Sequence, residues 1–274
     1  MSLVNAELLK IRTTSTWWIF GIVMLPLWAL SLLVNWGSST LGNQAEEAGD
    51  TGIRAEQVRA AGEAVNIAAN LYTSGQFFGT MIIMLLGAII VTNEFFHLTA
   101  TTTFLVTPRR ESVVLAKLAA AALLGVVFWL VTTVLNLIFA PIILSHLDIG
   151  SMLGDAAIWR AIALNGLAFI LWAVLGVGFG VLIRSQIAAT VTLALGYVLG
   201  SLGAGILFAV LVANVAEWIG KLQVLVPTTA AALMISGTDL PGSPPRWVGA
   251  VVLIGYAVVA GVLGTVIMKR RDIA

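Results

Sequence analysis

The chain lacks most of the side chains on which enzymes and metalloproteins depend. Among its 274 residues there is no cysteine and there are only two histidines, so no disulfide framework, thiol nucleophile or Cys/His zinc site is available. The sequence has no GxxxxGK[ST] phosphate-binding loop, so we expect no ATP binding by this chain itself. Its apolar stretches contain no paired aspartates, no serine with histidine and no HExxH motif, which argues against an intramembrane hydrolase.

Charge is also scarce. Charged residues make up only 10% of the chain, hydrophobic residues make up 59%, and the mean hydropathy is +1.03. A single aqueous core could not hide so much apolar surface, so the composition predicts an all-α integral membrane protein with one membrane-spanning domain over residues 1–274. The apolar runs are continuous rather than alternating, which disfavours a β-barrel. A net charge of +1 gives no indication of a nucleic-acid partner.

Six stretches contain no Asp, Glu, Lys or Arg, and each can cross a hydrocarbon layer ~30 Å thick. They are Trp17–Trp36, Leu71–Thr92, Leu118–Leu144, Ala161–Ile183, Ile187–Ala213 and Trp247–Met268. Only residues 184–186 separate the fourth stretch from the fifth, so we predict a tight turn there with Arg184 in the lipid headgroups. Because none of the six contains an ionisable carboxylate or a histidine, the usual binding site of a proton- or sodium-coupled transporter is missing.

The distribution of basic residues predicts the orientation. Placing the N-terminus inside assigns nine of the 14 lysines and arginines to the cytoplasm. These are Lys10, Arg12, Arg109, Arg110, Lys117, Arg184, Lys269, Arg270 and Arg271. The prediction is therefore a multi-pass protein of the cell (cytoplasmic) membrane with both termini in the cytoplasm.

Three segments outside the spans are also apolar. Val4, Leu8 and Ile11 form a helical stripe with Lys10 on the far side, which predicts an interfacial elbow helix before the first span. Outside the cell, the stripe from Val58 to Tyr72 predicts either an exposed helix that caps the outer mouth or one that contacts substrate. Residues 214–246 are too long for a hairpin, and we expect short re-entrant helices there that act as a gate.

The longest polar segment between spans on the predicted cytoplasmic side is Asn93–Lys117, NEFFHLTATTTFLVTPRRESVVLAK. Thr107 followed by Pro108 is a strong helix start, because the hydroxyl can cap free N–H groups and proline suits the first helical position. Arg109, Arg110 and Lys117 would then anchor the foot of the third span in the headgroups. The residues before Thr107 would form a separate short element.

This pattern resembles the permease subunits of type-2 ABC transporters, in which an acidic residue ends the second span and a Thr-rich segment leads to a proline and a basic pair. The start of the chain, NAELLKIRTTSTWW, resembles the same family's connecting helix, with Glu7, Lys10 and Arg12 in place. LVPTTAA at 225–231 resembles the segment between its last two spans. Leu98 and Thr101 depart from the family, which often has glycine and a basic residue there. The matching positions of the loop are Glu94, His97, Thr99, Thr102, Thr103, Pro108, Arg109, Arg110 and Lys117.

The resemblance implies the membrane subunit of an ATP-driven exporter. Two permease chains, identical or different, would pair, and a separate ABC ATPase subunit would dock beneath each through the loop from Glu94 to Thr107. ATP and magnesium would bind those partner subunits, and this chain would bind no cofactor. The cargo would be a hydrophobic drug, antibiotic or lipid-like compound. Two alternatives stay open: a membrane scaffold or signalling partner without cargo, and a secondary transporter.

Several residues inside the spans are candidates for function or for packing. By resemblance, the first, second and fifth helices would line the substrate pathway with methionine and aromatic side chains, although the same residues also suit ordinary packing. Asn136 and Asn165 should form interhelical hydrogen bonds. We interpret the glycines of GVGFG (176–180) as positions of close helix packing. Gly196, Gly200, Gly203 and Gly205 suggest the same role, with a break in the fifth span as the alternative. The pathway candidates are Met24, Trp28, Phe77, Phe78, Met81, Met84, Tyr197 and Phe208.

Overall fold

The computed structural model describes residues 3–45, 59–99, 109–183 and 185–270, and its regular elements there are all helical. We number nine α-helices in chain order, and a 3₁₀ helix over Glu217–Leu225 lies between the seventh and the eighth. The α-helices are α1 Leu3–Thr13, α2 Thr16–Ala45, α3 Ala64–Tyr72, α4 Gln76–Phe96, α5 Arg110–His146, α6 Ala156–Leu182, α7 Gln186–Asn214, α8 Pro227–Ile235 and α9 Arg246–Arg270.

The six predicted spans are confirmed as helices long and apolar enough to cross a membrane. They correspond to α2, α3 with α4, α5, α6, α7 and α9. Residues 183–185 separate α6 from α7, as the sequence predicts, and the Ser185 hydroxyl caps the start of α7 through the Ala188 N–H. The segment before α9 does form short helices, namely the 3₁₀ helix and α8. These two helices meet at an angle of 95°.

Helix α6 lies at the centre of the bundle, and the predicted close packing of the GVGFG glycines is confirmed. Gly176 and Gly180 lie one turn apart against the backbone of α4, so closely that a Cβ at Gly176 would collide with the Met84 carbonyl. Gly178 faces the opposite neighbour, where a Cβ would lie 2.7 Å from the Ala260 carbonyl oxygen of α9. The absence of side chains at alternating positions lets two helices approach α6 at once.

The glycines of α7 do not show the close helix packing that the sequence predicts for them. A Cβ at Gly196, Gly200, Gly203 or Gly205 would meet no atom of the described chain within 4 Å. Helix α7 is exposed along most of its length, because it packs mainly against α4 and the 3₁₀ helix. These glycines therefore do not serve packing within the described part of one chain.

The predicted outer helix is not exposed, and this expectation is corrected. Residues 64–72 form α3, which continues into the second span and buries Ile67, Ala68, Leu71 and Tyr72 against α5 and α6. Its apolar stripe is covered by protein because the neighbouring ends of α5 and α6 supply the matching apolar faces. Val58 lies outside the described residues.

Between α3 and α4 the helical hydrogen bonding is interrupted at residues 73–75, where Gly75 adopts φ 85°. Such a break within an apolar span leaves carbonyl groups that must find other donors. Asn136 of α5 supplies them, because its Nδ2 donates to the carbonyl oxygens of Tyr72 and Ser74, each at 3.0 Å. Its Oδ1 accepts from the Trp28 indole at 2.7 Å. The predicted interhelical role of Asn136 is thus confirmed.

Helix packing at Gly176 can be tested against a matched glycine on α7. We expect Gly176→Ala to lower stability by about 1–3 kcal/mol, because the new methyl group meets backbone that cannot move aside. Gly196→Ala has open space and should be neutral or slightly stabilising, since alanine is the better helix former. Thermal unfolding of both variants in the same detergent measures the difference, and equal midpoints would contradict the packing role.

Asn136 offers a second test with its own control. Asn136→Ala should cost about 2–5 kcal/mol, because three interhelical bonds, each worth about 0.6–1.7 kcal/mol, are lost together. Asn165 is equally buried, but its Oδ1 accepts no hydrogen bond from the described residues, so Asn165→Ala should cost less. Reversible unfolding in mixed micelles gives both values, and a larger loss for Asn165→Ala would disprove the assignment.

Candidate functional site

Four charged side chains from three helices meet at the end of the bundle where α1 lies. Lys10 Nζ lies 2.7 Å from both Glu7 Oε1 and Glu94 Oε1. Lys117 Nζ lies 2.8 Å from Glu7 Oε2 and 2.9 Å from Glu94 Oε1. We call Glu7, Lys10, Glu94 and Lys117 the charge cluster. Two ammonium groups and two carboxylates balance one another, so the cluster is neutral as a whole.

Three members of the charge cluster are buried. Lys117 is 1% exposed, Glu7 5% and Glu94 6%. Lys117 Nζ also lies 3.4 Å from the Ile90 carbonyl oxygen, one turn before Glu94. Charges removed from water in this way are tolerated only when partners and hydrogen bonds compensate them, which the mutual pairing provides.

One expectation from the sequence is wrong at this site, and one pairing was not expected. Lys10 keeps a side chain that is 47% exposed, yet its ammonium bridges Glu7, one turn earlier on α1, to Glu94 at the end of α4. Lys117 does not reach the headgroups, because two carboxylates hold it inside the protein. Sequence reasoning missed both pairings because Glu7 lies 110 residues from Lys117 in the chain.

The side chain of Lys10 is 47% exposed, and the charge cluster keeps it protonated. Partial burial acts to lower the pKa of Lys10, but the hydrogen bonds to Glu7 and Glu94 outweigh it and raise this pKa above the ordinary value. A raised pKa means that the contribution to stability is complete below the ordinary value and is lost only as pH rises through the folded-state value. The contact of the Lys10 ammonium with Glu7 and Glu94 therefore persists throughout the physiological pH range.

A cavity of about 450 Å³ adjoins the charge cluster between α1, α2 and the end of α4. His97 and Thr99, both predicted loop residues, lie on its wall. Leu98, where the resembling family often has glycine, adopts φ 56°, in the left-handed region that glycine occupies without strain. Its side chain is 84% exposed.

The other predicted loop residues are only partly described. Arg109 is exposed and directly precedes α5, which begins at Arg110, two residues after the predicted start at Pro108. Thr102, Thr103, Thr107 and Pro108 lie outside the described residues, as does Arg184. On α1, Arg12 is exposed and lies outside the charge cluster.

The candidate pathway residues divide into two groups. Met24, Trp28, Met84 and Tyr197 are buried within the single chain, and Met81 packs beside the same core. Phe208 is half-buried on α7. Phe77 and Phe78 instead lie on the wall of a second cavity, of about 400 Å³, between α2, α4 and α8. The structure thus brings these two candidates together at a cavity.

The far end of the bundle is held by polar contacts to residues 236–239. Arg160 of α6 and Arg246 of α9 each donate to the Gly237 carbonyl oxygen at 2.6 Å. Asn66 of α3 donates to the Thr238 hydroxyl at 2.7 Å and accepts from its backbone N–H at 2.9 Å. Three helices therefore fix the segment after α8.

Comparison with known proteins gives a family and no curated relative. Residues 52–274, more than half of the chain, match the model of a family described as a protein of unknown function, DUF2705. No curated protein matches the chain. The matched range contains Glu94 and Lys117, whereas Glu7 and Lys10 precede it.

The charge cluster can be tested by breaking and then rebalancing it. Lys117→Met should cost about 3–5 kcal/mol, because two buried carboxylates lose their shared partner. Adding Glu7→Gln should recover part of the loss, since it removes one of those uncompensated charges. Arg12→Met on the exposed side of α1 serves as the control and should change little. Unfolding free energies of both single variants, the double variant and the control decide the matter, and additive losses in the double variant would refute the pairing.

Proposed function

The chain belongs to the DUF2705 family of unknown function, and from its geometry we propose that it is the membrane-spanning permease subunit of a type-2 ABC exporter. One observation carries this proposal. The segment between α4 and α5 is bracketed by Glu94 and Lys117, and both are tied to α1 in the charge cluster.

A docking loop for a motor subunit needs this kind of attachment. A loop joined to the spans by flexible ends would absorb a displacement, whereas one whose ends share a buried ionic contact passes the displacement to the helices. In this chain, a displacement of the loop would be passed to α1, α4 and α5 together. The resemblance to type-2 ABC permeases adds the partner: an ABC ATPase that binds beneath the loop and hydrolyses ATP with magnesium.

The remaining features fit the same assignment. With the N-terminus in the cytoplasm, α1 is the elbow helix in the inner leaflet, and the 3₁₀ helix with α8 forms a re-entrant segment on the outer side. Two such chains, identical or different, pair with two ATPase subunits in the cell membrane. The exposed apolar faces of α2 and α7 provide a surface for lipid or for the second chain.

The source of energy separates this function from a secondary transporter. Glu7 and Glu94 are the carboxylates buried in the described part of the spans and α1, and each lies within 2.9 Å of two ammonium groups. Carboxylates engaged in this way are not open to bind a driving ion. We propose export of a hydrophobic drug, antibiotic or lipid-like compound, driven by ATP hydrolysis in the partner.

Transport in proteoliposomes tests the proposal. Purified together with the products of its neighbouring genes, the chain should associate with an ATPase and transport cargo when ATP and magnesium are added, and transport should persist when the proton gradient is collapsed. The isolated chain should accumulate no cargo under an imposed gradient. Gradient-driven accumulation by the isolated chain would favour a secondary transporter, and failure to associate with any ATPase would favour a scaffold.

Lys10→Gln tests the coupling step itself. This variant removes the exposed ammonium of the charge cluster but leaves Lys117 between the two carboxylates, so the fold should persist. We expect ATP hydrolysis to continue while transport falls roughly fivefold or more, the scale of a lost coupling interaction. Arg12→Gln is the matched control on the same helix. Equal transport by both variants would show that α1 takes no part in coupling.

A further inference from the structure

The cavity between α2, α4 and α8 has an aromatic side built from Phe77 and Phe78. Their rings meet edge to face with centroids 5.2 Å apart, and Phe77 makes a second such contact with Tyr197 at 5.0 Å. The Tyr197 hydroxyl bonds both the Thr80 hydroxyl and the Phe77 carbonyl oxygen, each at 2.9 Å. These contacts hold the aromatic side chains in one arrangement. The cavity has a volume of about 400 Å³, which suits a small molecule.

Polar side chains also line this cavity. Asn35 donates through its side-chain nitrogen to the Asn70 carbonyl oxygen at 3.1 Å and to the Ser74 hydroxyl at 2.9 Å. Gln76 donates in the same way to the Ala231 carbonyl oxygen at 3.3 Å. Neither amide oxygen accepts a hydrogen bond from a described residue, so both can accept from an N–H or O–H group of a ligand.

None of the described residues that line this cavity carries a charge. The same is true of a neighbouring cavity of about 210 Å³, which shares Asn35 and Asn70 and extends along α2 toward Ser39. A charged ligand entering either space would lose hydration without gaining a counter-ion, which is costly. A neutral ligand avoids that cost.

We propose that the cavity beside Phe77 is a binding site for a neutral amphipathic molecule that has an apolar or aromatic body and at least one N–H or O–H donor. This inference rests on the proposed exporter function, because it specifies the class of cargo. The apolar body lies against Phe77 and Phe78, and the donor meets Asn35 or Gln76. The adjoining smaller cavity continues the polar side beyond the Asn35–Asn70 hydrogen bond.

Photoaffinity labelling of the full chain in lipid nanodiscs tests the site without the ATPase. The probe is a benzamide that carries an aryl diazirine, and the competitors are the plain benzamide, the matching carboxylate and the matching trimethylammonium compound. We expect saturable labelling of residues 30–35 and 70–78, displaced by the benzamide at concentrations roughly tenfold lower than by either charged analogue. Labelling that never saturates, or equal competition by all three compounds, would overturn the proposal.

Variants sharpen this test. Phe77→Ala should weaken the saturable labelling by roughly threefold to tenfold, the scale of a lost aromatic contact. Leu199→Ala on the exposed face of α7 should leave it unchanged. Asn35→Asp keeps the side-chain size and should shift the preference toward the trimethylammonium compound. An unchanged order of competitors in Asn35→Asp, with the fold verified by thermal unfolding, would place the ligand elsewhere.

The two proposals fail separately. Saturable benzamide binding at this site, with no ATP-driven transport, would overturn the exporter function and leave the binding site intact. ATP-driven transport of a neutral compound that never protects residues 30–35 and 70–78 would overturn the site and leave the exporter function intact.

Discussion

The compensation of buried charge in the charge cluster determines how α1, α4 and α5 are connected. Lys117 is almost completely buried, and it is stable there only because Glu7 and Glu94 come to it from two other helices. Removing α4 or α5 from the contact would leave the charge cluster with an uncompensated charge. The charge cluster therefore ties α1, α4 and α5 to one another.

The same physical rule acts on the backbone further along the second span. The break at residues 73–75 frees carbonyl groups in an apolar region, and Asn136 and Asn35 donate hydrogen bonds to carbonyls around it. The break also separates α3 from α4 beside the cavity at Phe77. The interruption that requires Asn136 thus also helps to shape the proposed binding site.

The helices of the bundle differ in how much of their surface other helices cover. Glycines let α6 contact α4 and α9 at backbone distance, and Arg160 and Arg246 hold the segment after α8. In contrast, α2 and α7 bury little of their surface within one chain. In the proposed exporter, α4 and α6 would therefore move together, whereas α2 and α7 would offer surface to lipid or to the second chain.

The sequence by itself determined the six spans, the separation of α6 from α7, the packing role of Gly176–Gly180 and the structural role of Asn136. Hydropathy is a sum over consecutive residues. A glycine or an amide inside an apolar run usually serves helix packing or an interhelical hydrogen bond. These properties can therefore be inferred from the local sequence. Only the tertiary structure decided that Lys117 is buried, that Lys10 turns toward Glu94, that α3 is covered and that the α7 glycines contact nothing in the described part of one chain. Each of these depends on which distant side chain arrives as a partner, and a charge or an apolar stripe has the same local sequence whether or not that partner is present.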